Sequence, residues 1–371
     1  MRNTTWKIKT SNQNKSIMLN NFPIDQDILK ILHSRGIVSK KDIINFLDPS
    51  LDNIQPSSLL SDMKKSVDLI IECINNGKNI WIYGDYDVDG ITSTSILYLA
   101  LKDLGAEFLN YYIPIRDEGY GLNNTALKTI KNSGADLLIT VDCGITSFKE
   151  IEFAKSIGLD VIITDHHDIQ SDKIPNAYSI INPKRTDNAF TFNALAGVGV
   201  AFMLILNLYE KLKTKEEAYV YLDLVAIGTI ADIVPLVKEN RIFAKHGLEK
   251  LLYSENKGLR FLITKLFETA KLEFTTYDVG FVIAPVFNAA GRLKDAKMVV
   301  KLLTSDNDRE IEVISKELIN KNFERRELQT TLVELVEANI QKNNLNDNLV
   351  IVDASSEYHH GIIGIIASKV V

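Results

Sequence analysis

Cysteine is scarce in this chain of 371 residues: Cys73 and Cys143 are the two present, and they form no C-x-x-C pair. A disulfide framework is therefore excluded, and the reducing cytoplasm is the expected compartment. Long apolar runs are missing as well. The longest, Val198 to Leu206, is too short to cross a bilayer, and the polar stretch from Met1 to Met18 contains no apolar signal segment. Positive charge is not in excess, since 42 basic against 48 acidic residues gives a formal net charge of −6. The chain thus lacks a global basic footprint for nucleic acid, although a local basic groove or bound cations can reverse the sign where it matters. Tandem repeats and low-complexity tracts are absent. What remains is ordinary globular composition, 46% apolar and 24% charged, in a length that suits two or three domains at roughly 150 residues each.

Periodicity divides the chain. Residues 25–76 read as short helices around a loop at Asp48–Pro56, ending in an amphipathic pattern over Met63, Val67, Ile70 and Ile74 that stops at Gly77. Compact apolar runs then alternate with helical patterns. Strands are expected at Ile80–Tyr83, Phe108–Ile113, Leu137–Val141, Val161–Thr164 and Tyr178–Ile181, with helices at Ile91–Leu104, Thr125–Asn132 and Ser147–Ile157. Such alternation with continuously apolar strands predicts an α/β fold, a doubly wound parallel sheet covered on both faces. From Asn193 to Leu266 the pattern is mostly helical. Ser305 and Asp308 suggest a capping box that opens a helix of roughly 35 residues, about 50 Å long and suited to connecting domains. A further strand is expected at Leu349–Val352, opening a second α/β domain. The expected organisation is a helical lead-in at 1–75, a first domain at 76–304, a connecting helix at 305–344 and the beginning of a second domain at 345–371.

The chemistry gathers at strand ends. Gly84-Asp85-Tyr86-Asp87-Val88-Asp89-Gly90 places three carboxylates two residues apart directly after a strand. In extended chain they share one face and repel one another, so a divalent cation is expected there. An EF-hand loop is excluded, because its twelfth position is Ile96 rather than a glutamate. Asp142 ends the next strand, in Val-Asp-Cys-Gly, and Asp165-His166-His167 ends the one after. Imidazole supplies a neutral ligand, and an adjacent carboxylate can orient it. Asp232, in Gly-Thr-Ile-Ala-Asp-Ile-Val-Pro, is an acid in an apolar stretch: either a helix cap or a carboxylate that needs a cation. In an open parallel sheet, ligands bind at the carboxyl ends of strands, where these residues converge. Carboxylate and imidazole without thiolate suit Mn²⁺ or Mg²⁺, and a pair of such ions suits in-line attack on phosphorus. Gly197-Val198-Gly199 fails as a dinucleotide loop, since Phe202 stands at the third glycine position and no strand precedes it. His33 and His246 have no ligand-like neighbours in sequence.

GDYDVDG, VDCG, TDHH and GTIADIVPL, in this order, resemble the motifs of the DHH phosphoesterase superfamily. IPIR with EGYGL, LAGVG, FNAAGRL and YHHGIIG are similar to stretches of its RecJ family of single-strand-specific 5′→3′ exonucleases. The resemblance implies that Asp87, Asp89, Asp142, His166 and Asp232 hold two divalent ions, Mn²⁺ or Mg²⁺, with Asp142 as bridge and Asp85 beside them. It implies that His167 meets the scissile phosphate or helps hold a metal, that Asp165 orients the histidine pair, and that Arg116 and Arg292 hold DNA phosphate. His359 is expected to face the same cleft. Single-stranded DNA is the implied partner, in repair and recombination, with a helicase or single-strand-binding protein to supply it and no membrane. The family also implies a complete DHHA1 domain and an oligonucleotide-binding barrel beyond residue 371. Two other readings stay open: a DHH phosphodiesterase or pyrophosphatase of small nucleotides, and a non-catalytic DHH scaffold that binds DNA or a replication factor.

Overall fold

The structure, a computed structural model, describes residues 24–170, 173–293 and 295–370. The polar N-terminal stretch from Met1 lies outside the described residues. The chain opens with α1 (Gln26–Ser34), α2 (Lys40–Leu47) and α3 (Met63–Asn75). Five strands follow: β1 (Ile80–Tyr83), β2 (Leu109–Tyr112), β3 (Leu137–Val141), β4 (Asp160–Thr164) and β5 (Ser179–Ile181). Between them lie α4 (Val88–Asp103), α5 (Asn124–Asn132) and α6 (Phe148–Ser156). All strand pairs are parallel, in the order β2-β1-β3-β4-β5.

The apolar strands alternate between two cores. Ile80, Ile82, Leu137, Ile139, Val141 and Ile162 face a large core shared with α3 and α4, whereas Tyr83, Leu138, Val161 and Ile163 face a smaller one under α5 and α6. The expected doubly wound parallel sheet is therefore present. Its strand order reverses between β1 and β3, the switch point where the carboxyl ends open a crevice for ligands.

The helical region comprises α7 (Gly197–Leu212), α8 (Leu222–Ala231), α9 (Lys238–Leu251) and α10 (Lys257–Leu266). A π-helical turn at Asp278–Ile283 runs into α11 (Ala284–Leu293), followed by α12 (Lys297–Thr304), α13 (Asp308–Lys342) and α14 (Ile363–Val370). The inner half of α13, through Ile311, Ile314 and Leu318, belongs to the main core. Its outer half, through Leu332, Val336 and Ile340, builds a separate small core with Ile362 and Ile366. Among the described residues no helix is long and apolar enough to cross a membrane.

Three local expectations are corrected. First, α4 starts at Val88, not Ile91. Asp87 caps it, its carboxylate accepting from the N–H groups of Asp89 and Gly90 at 2.9 and 3.1 Å, so the three aspartates do not lie along one extended face. An N-cap acid relieves orphan donors and meets the positive end of the helix, which outweighs continued extension. Second, the cap of α13 is Asn307, which accepts from Arg309 and Glu310, while Ser305 instead donates to Glu310. Asn307 stands one residue before the first helical turn, where a side-chain oxygen reaches the N2 and N3 amides. Third, residues 349–352 form no strand and lie exposed, Leu349 and Val352 among the most exposed apolar residues. A strand exists through its ladder, and no described segment runs alongside to provide one.

Candidate metal centre and phosphate cleft

The carboxyl ends of β1, β3 and β4 bring the acidic residues together. Asp85 follows β1 and is buried; its Oδ1 has no hydrogen-bond partner. Asp142 follows β3 in the left-handed region (φ 59°), a conformation that aspartate tolerates and that turns its carboxylate back over the sheet edge. It too is buried, and its Oδ1 makes no hydrogen bond. His166 follows β4, with Nε2 at 3.1 Å from Asp142, 3.7 Å from Asp232 and 3.8 Å from Asp89.

Asp232 arrives from the helical region as the C-cap of α8. A carboxylate is misplaced at the negative end of a helix, so capping does not account for it. Asp89 sits in the first turn of α4 and accepts from the N–H groups of Gly197 and Val198 at 2.6 and 2.8 Å, at the start of α7. The Gly-Val-Gly stretch thus has a use no dinucleotide loop explains: it anchors a carboxylate on a helix N-terminus. Residue 197 must be glycine, because a Cβ there would stand 2.5 Å from Asp142 Oδ1.

Three sets of ligand atoms lie within 4.8 Å of one another: Asp85, Asp87 and Asp142; Asp89, His166 and Asp232; and Asp142, His166 and His167. Asp142 belongs to two of them. Burial pushes Asp85 up to about 7, with repulsion from Asp87 adding to it, and pushes Asp232 up to about 6. Asp89 and Asp142 are driven well above the carboxylate range by burial and by each other or their neighbours. Burial, then His167, pushes His166 down to about 4, leaving a neutral imidazole at neutral pH. Carboxylates crowded, dehydrated and partly orphaned beside a neutral imidazole fit divalent cations, with oxygen and nitrogen donors of the kind Mn²⁺ and Mg²⁺ accept.

Asp165 has a different role. Its oxygens accept from Ile145 N–H (2.9 Å), His166 N–H (2.7 Å) and His167 N–H (3.0 Å), and from His167 Nδ1 at 2.7 Å. Burial alone would raise it, but the bonds from His167 and the backbone together hold it below its ordinary range. The bond to Asp165 correspondingly raises His167. A carboxylate so fully satisfied orients a histidine rather than binding a metal. The far nitrogen of His167 lies 3.0 Å from the Tyr120 hydroxyl.

One flank of the cluster is cationic. Gly291 packs against the Tyr86 carbonyl, where any Cβ would collide, and this holds the end of α11 against the acidic loop. Arg116 lies over the Tyr86 ring at 4.4 Å and reaches the Gly291 carbonyl. Arg292 donates to the Gly361 carbonyl at 2.7 Å, and His359 Nδ1 accepts from Gly361 N–H at 3.1 Å. Among the described residues neither arginine forms an ion pair. The acids and the histidine pair are thus brought together, Arg116 stands beside them over Tyr86, and His359 meets Gly361, whose carbonyl Arg292 holds. Sequence reasoning misses Tyr120, whose hydroxyl reaches the Asp142 carbonyl and His167. Lys184, just past β5, lines a groove beside His166, where the strand-end rule would have pointed.

Comparison with known proteins places this geometry. The DHH family, N-terminal domain model matches residues 79–229. The single-stranded-DNA-specific exonuclease RecJ of Bacillus subtilis is 38% identical over 368 residues, covering 99% of this chain and 46% of its own length. A crystal structure of exonuclease RecJ bound to manganese superimposes with a TM-score of 0.74 at 35% identity, over 84% of this chain and 77% of that one. The chain belongs to the RecJ family. A second RecJ structure, from Thermus thermophilus in complex with Mn²⁺, has a TM-score of 0.74 at 32% identity and covers 91% of this chain and 47% of that one. This RecJ-family chain therefore spans about half the length of the curated relatives it matches.

Proposed function

We propose that this protein is a metal-dependent exonuclease that removes nucleotides from the 5′ end of single-stranded DNA, in repair and recombination. The observation that carries the reading is the pair of ligand sets, Asp85–Asp87–Asp142 and Asp89–His166–Asp232, with Asp142 between them and Arg116 and Arg292 alongside. Two divalent ions, Mn²⁺ or Mg²⁺, would be held there; when bound, they supply charge stabilisation at phosphorus and a more acidic water.

The protein's own residues do the rest. Asp142 and His166 sit at the centre and fix the spacing of the two sets. Asp165 holds His167 by Nδ1, so its Nε2 faces the cleft and can donate to a phosphate oxygen. Arg116 and Arg292 present guanidinium groups that suit phosphate in a forked geometry, with His359 on the same wall. We assign 76–304 to the catalytic unit and 305–344 to a connector. The reading carries a cytoplasmic site of action, with single strands supplied by a helicase or a single-strand-binding protein.

The test is release of mononucleotides from end-labelled single strands in Mn²⁺, with duplex as control. The Asp142→Ala variant is expected to lose activity by about a thousandfold or more, as removal of a bridging ligand should. Normal hydrolysis by that variant, or equal hydrolysis of duplex, rejects the proposal.

A further inference from the structure

The arginines attend to one end of the acidic cluster. Arg116 and Arg292 lie beside Tyr86, between Asp85 and Asp87. At the other end His166, which meets Asp89 and Asp232, borders a groove of about 820 Å³, room for a nucleotide; Lys184 and Arg185 line it together with Asp168 and Asp187, the two acids with which they pair. A polynucleotide laid across two ions has phosphates on both sides of the scissile one, so this end calls for a cation of its own.

Lys184 stands where it is needed. It lies just past β5, at the same carboxyl edge of the sheet as the metal-ligand candidates. Its backbone is fixed: its N–H donates to Asn182 Oδ1 at 2.8 Å, Asn182 Nδ2 donates to the His167 carbonyl at 3.1 Å, and Asn188 holds the Asn182 carbonyl at 2.8 Å. The neighbouring cation, Arg185, is committed to Asp62 and Asp187, each at 2.7 Å. Among the described residues Lys184 Nζ has one acidic partner, Asp168 Oδ1 at 2.8 Å, whose side chain is 89% exposed. Ion pairs with so exposed a partner are weak, so a phosphate can replace Asp168 at little cost.

We propose that Lys184 binds the phosphate next to the scissile one, at the end of the acidic cluster opposite Arg116 and Arg292. The inference rests on the nuclease reading above. Lys184 makes the groove a continuation of the phosphate path, and Asn182 is the positioning residue that couples this path to the histidine pair.

The test uses a single-stranded oligodeoxynucleotide and Mn²⁺ with the whole chain as it stands. Lys184→Gln is expected to raise KM about tenfold with kcat within about twofold, to lower the salt slope of kcat/KM by about 0.7, and to be rescued by Lys184→Arg. A Lys64→Gln control on α3 leaves all three values unchanged. Oligonucleotides carrying one neutral methylphosphonate at successive linkages locate the contact: the wild type loses about tenfold at one linkage flanking the cut, and Lys184→Gln is indifferent there. If the wild type cuts single strands and Lys184→Gln keeps the wild-type KM, or still responds to the neutral linkage, the inference is overturned and the nuclease reading stands. If the wild type leaves single strands uncut, that reading is overturned and the inference with it.

Discussion

The two ends of α8 bury carboxylates in opposite ways. Asp223, in the first turn of α8, is wholly enclosed, and each of its oxygens has a donor: Leu224 N–H at 2.7 Å and the Ser254 hydroxyl at 2.6 Å. At the far end of the same helix, Asp232 joins Asp85, Asp89 and Asp142, where repulsion is shared and two oxygens have no donor. A buried acid with a full set of donors is part of the scaffold. A group of buried acids lacking donors is stable only with a cation. Along α8 the contrast separates a structural acid from the candidate metal ligands without reference to motif.

The most direct way to break the contrast is Asp142→Asn with and without metal. The substitution removes one charge from the crowded set. In a chelator it should therefore raise the melting temperature, while abolishing the rise of several degrees that Mn²⁺ gives the wild type through preferential binding to the folded state. Scanning calorimetry reads both. If Asp142→Asn is less stable than wild type in chelator, crowding is not what strains the site.

Asp223→Asn tests the other half. Burial pushes Asp223 up to about 6, against the opposing hydrogen bonds from Ser254 and Leu224. A folded-state value above the unfolded one means that the folded protein takes up a proton first as pH falls. The ionised form thus costs stability above about pH 6, and that cost disappears between about 6 and 4, a difference on the order of 3 kcal/mol. The variant should be at least as stable as wild type at pH 8 and should lose the wild type's relative gain on acidification, with its Mn²⁺ response intact. Denaturant titrations of both proteins across this range check it. Parallel pH profiles refute the assignment.

Sequence made the sheet legible because the three central strands β1, β3 and β4 are short apolar runs closed by glycine or an acid, and the strand-end rule then collected Asp85, Asp142 and Asp165–His167 in one place. Asp232 was legible only as an anomaly, since its approach depends on α8 packing against α4, the helix that carries Asp89. What periodicity could not show was local competition. Asp87 caps a helix instead of extending a strand, and Asn307 outcompetes Ser305 for the α13 cap. Residues 349–352 have strand composition but no strand, because pairing partners are not encoded in the run itself. The sequence excluded a dinucleotide loop at Gly197 without saying why the glycine is there; its reason lies in Asp142, 55 positions earlier, whose Oδ1 would stand 2.5 Å from a Cβ.

The finest form of the comparison lies within the histidine pair, where His167 is tethered at both nitrogens. Asp165 holds Nδ1 at 2.7 Å from a buried, fully bonded carboxylate, whereas the Tyr120 hydroxyl meets Nε2 at 3.0 Å from a side chain that is 53% exposed. The first bond is charge-assisted and fixes the ring; the second is neutral, at the rim, and contributes about 1 kcal/mol at most. It also occupies the nitrogen that is to face a phosphate oxygen, so it must yield when substrate enters. Tyr120→Phe should therefore change kcat less than about tenfold, since Asp165 alone keeps the ring in place. Single-turnover rates on single-stranded DNA decide the point. A loss as deep as that of Asp142→Ala would mean that the hydroxyl itself, not the Asp165 bond, sets the histidine for phosphate.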